Sequence, residues 1–258
     1  MKSRAEYTRT AIQAAKKAGF YIQKSLGKVT TTSYKGAINI VTDVDTKAEE
    51  MIIRRIKKSF PGHSILAEEK GRDGAPGEFT WIIDPLDGTT NFFRRFPFYC
   101  VSIALEHKKE VIAGVVYDPA RKELFVAEKG NGAFLNGKRI RVSKVSKLSK
   151  GFVATGFAYG IKSAANSNIM NFNRFLKKSL AVRRAGAAAL DLCYIACGIF
   201  DGFWEFDLNP WDCAAGYLLV REAGGKVTRF NGSKFSVYDS QILASNGKIH
   251  NQMSKLLI

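Results

Sequence analysis

Histidine is nearly missing from this sequence. The three present (His63, His107, His250) stand far apart and beside no cluster of acids. That argues against a zinc site and against a Ser-His-Asp triad. The four cysteines (Cys100, Cys193, Cys197, Cys213) show no C-x-x-C spacing. Cys193 and Cys197 fall one helical turn apart in an apolar stretch, so the set reads as small buried hydrophobes in a reducing compartment. No apolar run has bilayer-spanning length. The longest, residues 185–200, is interrupted by Asp191, and the basic N-terminus lacks the apolar stretch of a secretory signal. A cytoplasmic location without a membrane partner is the expectation. Acids are also scarce: 23 Asp and Glu face 40 Lys and Arg, a net charge of +17. Such a balance favours phosphorylated small molecules, nucleic acid or anionic surfaces, though non-specifically. Much of the excess is spread along helices and hairpins, as solvated faces are. No internal repeat or low-complexity tract stands out.

The informative stretch is Trp81-Ile82-Ile83-Asp84-Pro85-Leu86-Asp87-Gly88-Thr89-Thr90-Asn91-Phe92. Its apolar start reads as the end of a buried strand. Two carboxylates three positions apart then sit where Pro85 and Gly88 turn the chain. Thr89 and Thr90 lead to a helix start, whose free N–H groups and dipole favour an anion. Carboxylates beside such a start suit a divalent metal holding a phosphate. D-P-x-D-G suits an ordinary tight turn equally well, and two aspartates cannot hold two metals alone.

The remaining chain reads as two halves, residues 1–150 and 151–258. Residues 4–26 carry apolar residues at spacings of three and four (Ala5, Thr8, Ile12, Ala15, Gly19, Ile22, Leu26), an amphipathic helix. Residues 29–39, with Lys35 and Gly36, read as a hairpin or mobile loop. A second helix follows, capped at Asp45 or Thr46, with Thr46-x-x-Glu49 fitting a capping box. Its apolar face is Ala48, Met51, Ile52, Ile56 and Phe60, and Pro61-Gly62 stops it. A short run, residues 64–67, delivers Glu68 and Glu69, of which one faces a site, since neighbours on a strand point apart. Residues 71–77 form a Gly/Pro-rich loop. Residues 99–105, 111–117, 122–128 and 139–142 are strand-like, with short links implying antiparallel pairing and Asn136-Gly137 marking a hairpin. Residues 138–150 are basic and Ser-rich, a solvated arm linking the halves or, alternatively, an anionic partner's site. The second half alternates strands (151–155, 181–185, 199–206) with helices (168–180, 187–197, 211–223), then two short strands and a terminal helix, a layered mix of both.

Asp212, in Asn209-Pro210-Trp211-Asp212-Cys213, sits at a helix start, where an isolated Asp is usually a cap. Together with Glu68, Asp84 and Asp87 it makes four acids at element ends that can converge on two metals.

These motifs resemble the inositol monophosphatase family of magnesium-dependent, lithium-sensitive phosphatases. The resemblance rests on Ala67-Glu68-Glu69, on the stretch from Trp81 to Phe92 and on Pro210-Trp211-Asp212-Cys213-Ala214-Ala215-Gly216. Weaker agreement covers Val41-Thr42-x-x-Asp45, the Gly130 to Gly137 segment and Glu222-Ala223-Gly224-Gly225. It implies an α+β fold, an αβαβα layered sandwich of the inositol monophosphatase and fructose-1,6-bisphosphatase type, and a homodimer. It implies two or three Mg2+ ions held by Glu68, Asp84, the Leu86 carbonyl, Asp87 and Asp212. Glu68 and Thr89 would activate water, and Gly88 and Thr89 would hold phosphate. Arg184, Gly186, Ala188 and Glu205, with Asp87 and Asp212, would line the substrate pocket. Ala187 stands where Ser or Thr is common and Asn209 where some animal members carry His, which loosens the inference to inositol itself. The expected activity is hydrolysis of inositol monophosphate, with fructose 1,6-bisphosphate or another sugar phosphate as the alternative. A different class, an RNA- or nucleoprotein-binding protein, is motivated by the charge of +17 and residues 138–150, without a recognised RNA motif.

Overall fold

The computed structural model describes residues 4–29, 31–35, 39–75, 77–157 and 168–257. Two helices, α1 (Arg4–Ser25) and α2 (Asp43–Ser59), cover one face of an eight-stranded sheet. The sheet has the order β10-β9-β8-β7-β6-β5-β3-β4. Its strands are β3 (Ser64–Ala67), β4 (Gly71–Asp73), β5 (Phe79–Asp87), β6 (Cys100–His107), β7 (Glu110–Asp118), β8 (Glu123–Glu128), β9 (Gly132–Leu135) and β10 (Lys138–Ile140). Its other face packs on α5 (Ala188–Ala196) and α6 (Pro210–Glu222). Beneath these helices lies a five-stranded sheet of order β12-β11-β13-β15-β14. That sheet comprises β11 (Phe152–Thr155), β12 (Ala181–Arg183), β13 (Gly202–Phe206), β14 (Lys226–Thr228) and β15 (Gln241–Ser245), with α4 (Ile169–Lys178) and α7 (His250–Ser254) outside. A small hairpin, β1 (Thr32–Lys35) and β2 (Asn39–Thr42), precedes α2, and the five-residue α3 (Thr89–Phe93) follows β5. The result is the expected α+β layered sandwich. Among the described residues no helix is long and apolar enough to cross a membrane.

Strand residues alternate between two apolar layers. Trp81 and Ile83 enter the core under α1 and α2, while Ile82 enters the core under α5 and α6. Phe203 and Trp204 divide in the same way between the layers either side of the second sheet. Burial on both faces is why these strands read as continuous apolar runs. The central core draws on both halves of the sequence: Ile82, Val116 and Phe125 meet Leu190, Leu219, Phe203 and Ala244.

Several local expectations change. Ala5 is exposed and Ile12 half-buried, because α1 packs on both α2 and the sheet and so buries a broader face that includes Tyr7, Ala11, Ala14 and Ala18. In α2, Ile53 is buried while Met51 is only half-buried. Its cap is Thr42, with Asp45 at the third position closing the capping box, rather than Asp45 or Thr46. Residues 71–73, read as loop, pair with β3 as a short edge strand. Gly36 lies outside the described residues.

Glu49, freed from the expected cap, turns inward and is fully buried. Its carboxylate accepts the N–H groups of Glu69 at 2.8 Å and Lys70 at 3.0 Å, fixing the turn that follows β3. Burial pushes its pKa up, partly offset by those two donors. Replacing Glu49 by Ala should cost about 1–3 kcal/mol by leaving two N–H groups of the turn unpaired. Urea melts of Glu49→Ala and the parent, at neutral pH, check this; coincident midpoints would assign the turn's stability elsewhere.

Candidate active site

Three registers bring the acids together. β3 runs parallel to β5 with Ala67 opposite Ile83, so Glu68 emerges beside Asp84, and its N–H donates to the Ile83 carbonyl at 3.2 Å. Within β5, Asp84 and Asp87 would point to opposite faces of a regular strand. Against β6, however, Asp84 pairs with Ser102 and Asp87 with Cys100, so that Pro85 and Leu86 together face Val101. Pro85 and this bulge re-aim the strand end, as such irregularities do. Asp212 arrives on α6, which is docked through the Ser102 hydroxyl donating to the Trp211 carbonyl at 3.3 Å. The Asn209 N–H donates to Asp212 Oδ2 at 2.6 Å, closing the helix start. So the cap of α6 is Asn209 rather than Asp212, which closes the capping box from the third position and still faces the other acids.

All four acids, with Leu86, Gly88, Thr89, Arg184, Gly186, Ala188 and Glu205, line one cavity of about 420 Å³. Every residue that the resemblance implies for the site thus lines this cavity, Arg184 and Ala188 included. Glu69 does not line the cavity; its N–H serves the turn held by Glu49.

Burial of the acids, followed by the crowding of like charge, dominates the electrostatics. Burial, then the charges of Glu68, Asp87 and Asp212, holds Asp84 well above the usual carboxylate range. Asp87 is pushed up to about 8 by burial and by Asp212, against the pull of the Ala189 and Ala188 N–H groups. Burial takes Asp212 to about 6. Asp87 Oδ2 accepts the Ala189 N–H at 2.7 Å and the Cys100 thiol at 3.8 Å. It therefore caps α5 from another layer. This explains Ala187: the helix start that a Ser or Thr would cap is satisfied by Asp87, and Ala187 makes no side-chain cap.

Thr89 is not a cap either. The N-cap of α3 is Gly88, at φ 90°, where a Cβ would stand 2.8 Å from the Phe98 carbonyl oxygen. The Thr89 hydroxyl instead lies 2.7 Å from Asp45 Oδ1 and 3.0 Å from the Leu86 carbonyl oxygen. One proton serves one acceptor at a time, and the shorter, charge-assisted contact to Asp45 is the stronger. Asp45 Oδ2 is held by the Thr42 N–H at 2.9 Å and by the Thr42 hydroxyl. Asp45 is the residue that reading the motifs for site groups missed. Its signal, an acid in Val41-Thr42-x-x-Asp45, looked like a helix cap; the cap is Thr42, and Asp45 closes the capping box through its other oxygen.

Three further residues of the walls bear on the chemistry. The Asn91 amide donates to the Phe98 carbonyl at 2.8 Å and the Ala185 carbonyl at 2.9 Å, tying α3 to the loop before α5. Gly156 faces Glu205 so closely that a Cβ there would lie 2.0 Å from a carboxylate oxygen. Asp191 lines the cavity, almost fully buried, with Oδ1 lacking a hydrogen-bond partner. From the sequence Asp191 was only a charge interrupting an apolar run.

The donor set is entirely oxygen, which suits a hard cation. Among the described residues no three His, Cys, Asp or Glu side chains close around a single point. An ion that keeps water and takes one or two carboxylates, as Mg2+ does, fits such a set.

A model of the inositol monophosphatase family matches residues 3–257. An inositol-1-monophosphatase from Synechocystis sp. is 45% identical over 249 residues, spanning 96% of this chain and 87% of its own. A protein named Nus factor SuhB from Escherichia coli is 46% identical over 242 residues, spanning 93% of this chain and 91% of its own. The solved structure of inositol monophosphatase from Anabaena superposes with a TM-score of 0.91 at 41% identity, covering 98% of this chain and 95% of that one.

The crowded acids make ion-free stability depend on pH. A carboxyl whose folded pKa lies above its unfolded value near 3.8 opposes folding once pH exceeds that unfolded value. The penalty grows through the folded pKa, about 6 for Asp212 and about 8 for Asp87. In chelator, the melting temperature should therefore fall as pH rises from about 4 toward 8. Asp87→Asn should flatten that fall, and Mg2+ should restore stability in the parent only. A pH-independent melting temperature in chelator would contradict the crowding.

Proposed function

This chain belongs to the inositol monophosphatase family, and we propose that the phosphatase activity this supports is Mg2+-dependent hydrolysis of inositol monophosphate by in-line attack of water. The single observation that carries the reading is the meeting of Glu68, Asp84, Asp87 and Asp212 in one cavity beside the hydrogen-bonded pair Thr89 and Asp45.

Glu68, Asp84, the Leu86 carbonyl, Asp87 and Asp212 would hold two or three Mg2+ ions. Bound there, Mg2+ would neutralise the crowded acids, polarise the phosphate oxygens and lower the pKa of water. The chain's own groups do the rest. The start of α3, Gly88 and Thr89, offers N–H groups to phosphate oxygens. Thr89, donating to Asp45, has lone pairs free to accept a proton from water, so the pair can orient water and take up its proton. Glu68, beside Asp84, is the carboxylate able to touch both an ion and that water. Glu205 accepts from a substrate hydroxyl, and Gly156 leaves it room to do so. Exposed Arg184 at the cavity wall favours a second reading, a sugar bisphosphate such as fructose 1,6-bisphosphate, whose extra phosphate it can bind. Turnover of both esters in parallel separates the two, and full activity in chelator overturns both.

Thr89→Ala should lower kcat by about 10² or more, as loss of a hydrogen bond made in the transition state does. Thr89→Ser keeps the hydroxyl and should recover most of it. If Thr89→Ala turns over at the parental rate, the Asp45 contact is structural. Gly156→Ala should push Glu205 aside. With inositol 1-phosphate, KM should rise about 10–100-fold at nearly constant kcat, the cost of one charge-assisted hydrogen bond. With p-nitrophenyl phosphate, which lacks the hydroxyls, KM should stay as it is; an equal rise with both would mean that the whole site is distorted.

A further inference from the structure

Residues 129–190 contain thirteen Lys and Arg and not one Asp or Glu, so most of the +17 originates there. Within this span, residues 141–150 read Arg-Val-Ser-Lys-Val-Ser-Lys-Leu-Ser-Lys, a period of three. The structure turns the apolar place of the triplet inward and leaves the basic place exposed, while of the serines only Ser143 is half-buried. Val142, Val145 and Leu148 pack against the apolar cores, and Leu148 is buried. Ser143 donates to the Asp201 carboxylate and accepts from the Asn246 amide at 2.8 Å. Arg141, Lys144, Lys147 and Lys150 are all exposed. The segment belongs to no β-ladder and ends in a single 3-10 turn (Leu148–Lys150), and every third residue along it is an exposed cation.

The backbone beneath the row is pinned. The Asn246 amide donates to the Val145 carbonyl at 2.8 Å, and the Gln252 amide donates to the Ser146 carbonyl at 2.9 Å while its oxygen accepts the Leu148 N–H at 2.9 Å. The Val142 N–H donates to the Ala223 carbonyl at 3.2 Å. Among the described residues none of the four basic side chains is paired with an acid. A segment without a β-ladder is thus held in place and presents a row of unneutralised cations, up to roughly 25 Å long at about 3 Å per residue.

We propose that this ridge binds the phosphate backbone of a nucleic acid, independently of base sequence. A line of fixed cations matches a linear polyanion, and phosphates recur about every 3.4 Å along a strand. The segment's apolar side chains are turned into the protein and cannot insert into a lipid surface. No aromatic side chain lies between the cations to stack on bases, so the contacts position a strand without reading it. None of the four residues lines the catalytic cavity.

The test is fluorescence anisotropy of a labelled oligouridylate of about 20 nucleotides, and of a duplex of like length, across a salt series. The full-length protein should bind at least one of them at low salt. Lys144→Gln, Lys147→Gln and Lys150→Gln combined should reduce the slope of log affinity against log salt by about 2 on the single strand, or nearly 3 on the duplex. Phosphate release and melting temperature should be unchanged. The control removes equal charge elsewhere, from exposed Lys16, Lys17 and Lys58 as Gln on α1 and α2, and should leave the slope close to the parent's. Absence of binding to both probes at low salt overturns the proposal. So does equal loss in the control, or a ridge variant that loses anionic vesicles while keeping both nucleic acids. None of these outcomes bears on the phosphatase reading.

Discussion

Four carboxylates gathered at the mouth of one cavity repel one another, and the layers around them are arranged to hold them there regardless. Asp84, almost fully buried, has a pKa raised by its own desolvation and by three neighbouring acids. Such a cluster is stable only where positive charge or directed N–H groups compensate it. The chain supplies some of that compensation from several elements: the start of α5 to Asp87, the Leu86 N–H to Asp84 at 2.9 Å, and the Asn209 N–H to Asp212. The remainder is what a bound cation would supply. The site is thus a deliberately unfavourable arrangement that the surrounding cores stabilise, as sites with clustered acids are.

The supporting contacts reach across layers. Asp87 caps α5 and Asn91 ties α3 to the loop preceding it. Ser102, on the strand that pairs with β5, anchors the start of α6. Glu49 steadies the turn carrying Glu68, and Asp45 reaches Thr89 with the oxygen that its own capping box leaves free. Each of these residues serves local structure with one group and the site with another. That double use explains why single-residue readings of Asp45 and Asp212 as caps missed both their place at the third position of a capping box and their reach toward the site.

Positive and negative charge are also separated along the chain. The acids that matter for chemistry come from β-strand ends and one helix start. The cationic surplus lies largely in residues 129–190, where no acid offsets it. Where that span runs extended along the second sheet, its period of three directs apolar side chains inward and lysines outward. A surface of this kind is independent of the cavity, and a protein can carry both.

The sequence alone was enough for the layered α+β architecture and for the four acids gathered in the cavity, but not for Asp45 or Asp191. Apolar runs bounded by turn residues mark strands buried on both faces, and the long motif around Asp84 and Asp87 is specific enough to name its neighbours. Element ends were legible to within a few residues, since caps and glycines act locally. What only the tertiary structure decided is how groups distant in sequence face one another. The one-residue bulge that turns Asp84 and Asp87 to the same mouth depends on pairing with β6. The destination of Glu49, the partner of Thr89, the capping of α5 by Asp87 and the burial of Asp191 all depend on packing between layers. A side chain's local role is set by its immediate neighbours in the chain. Its orientation toward a site is set by register and close packing, which no local pattern encodes.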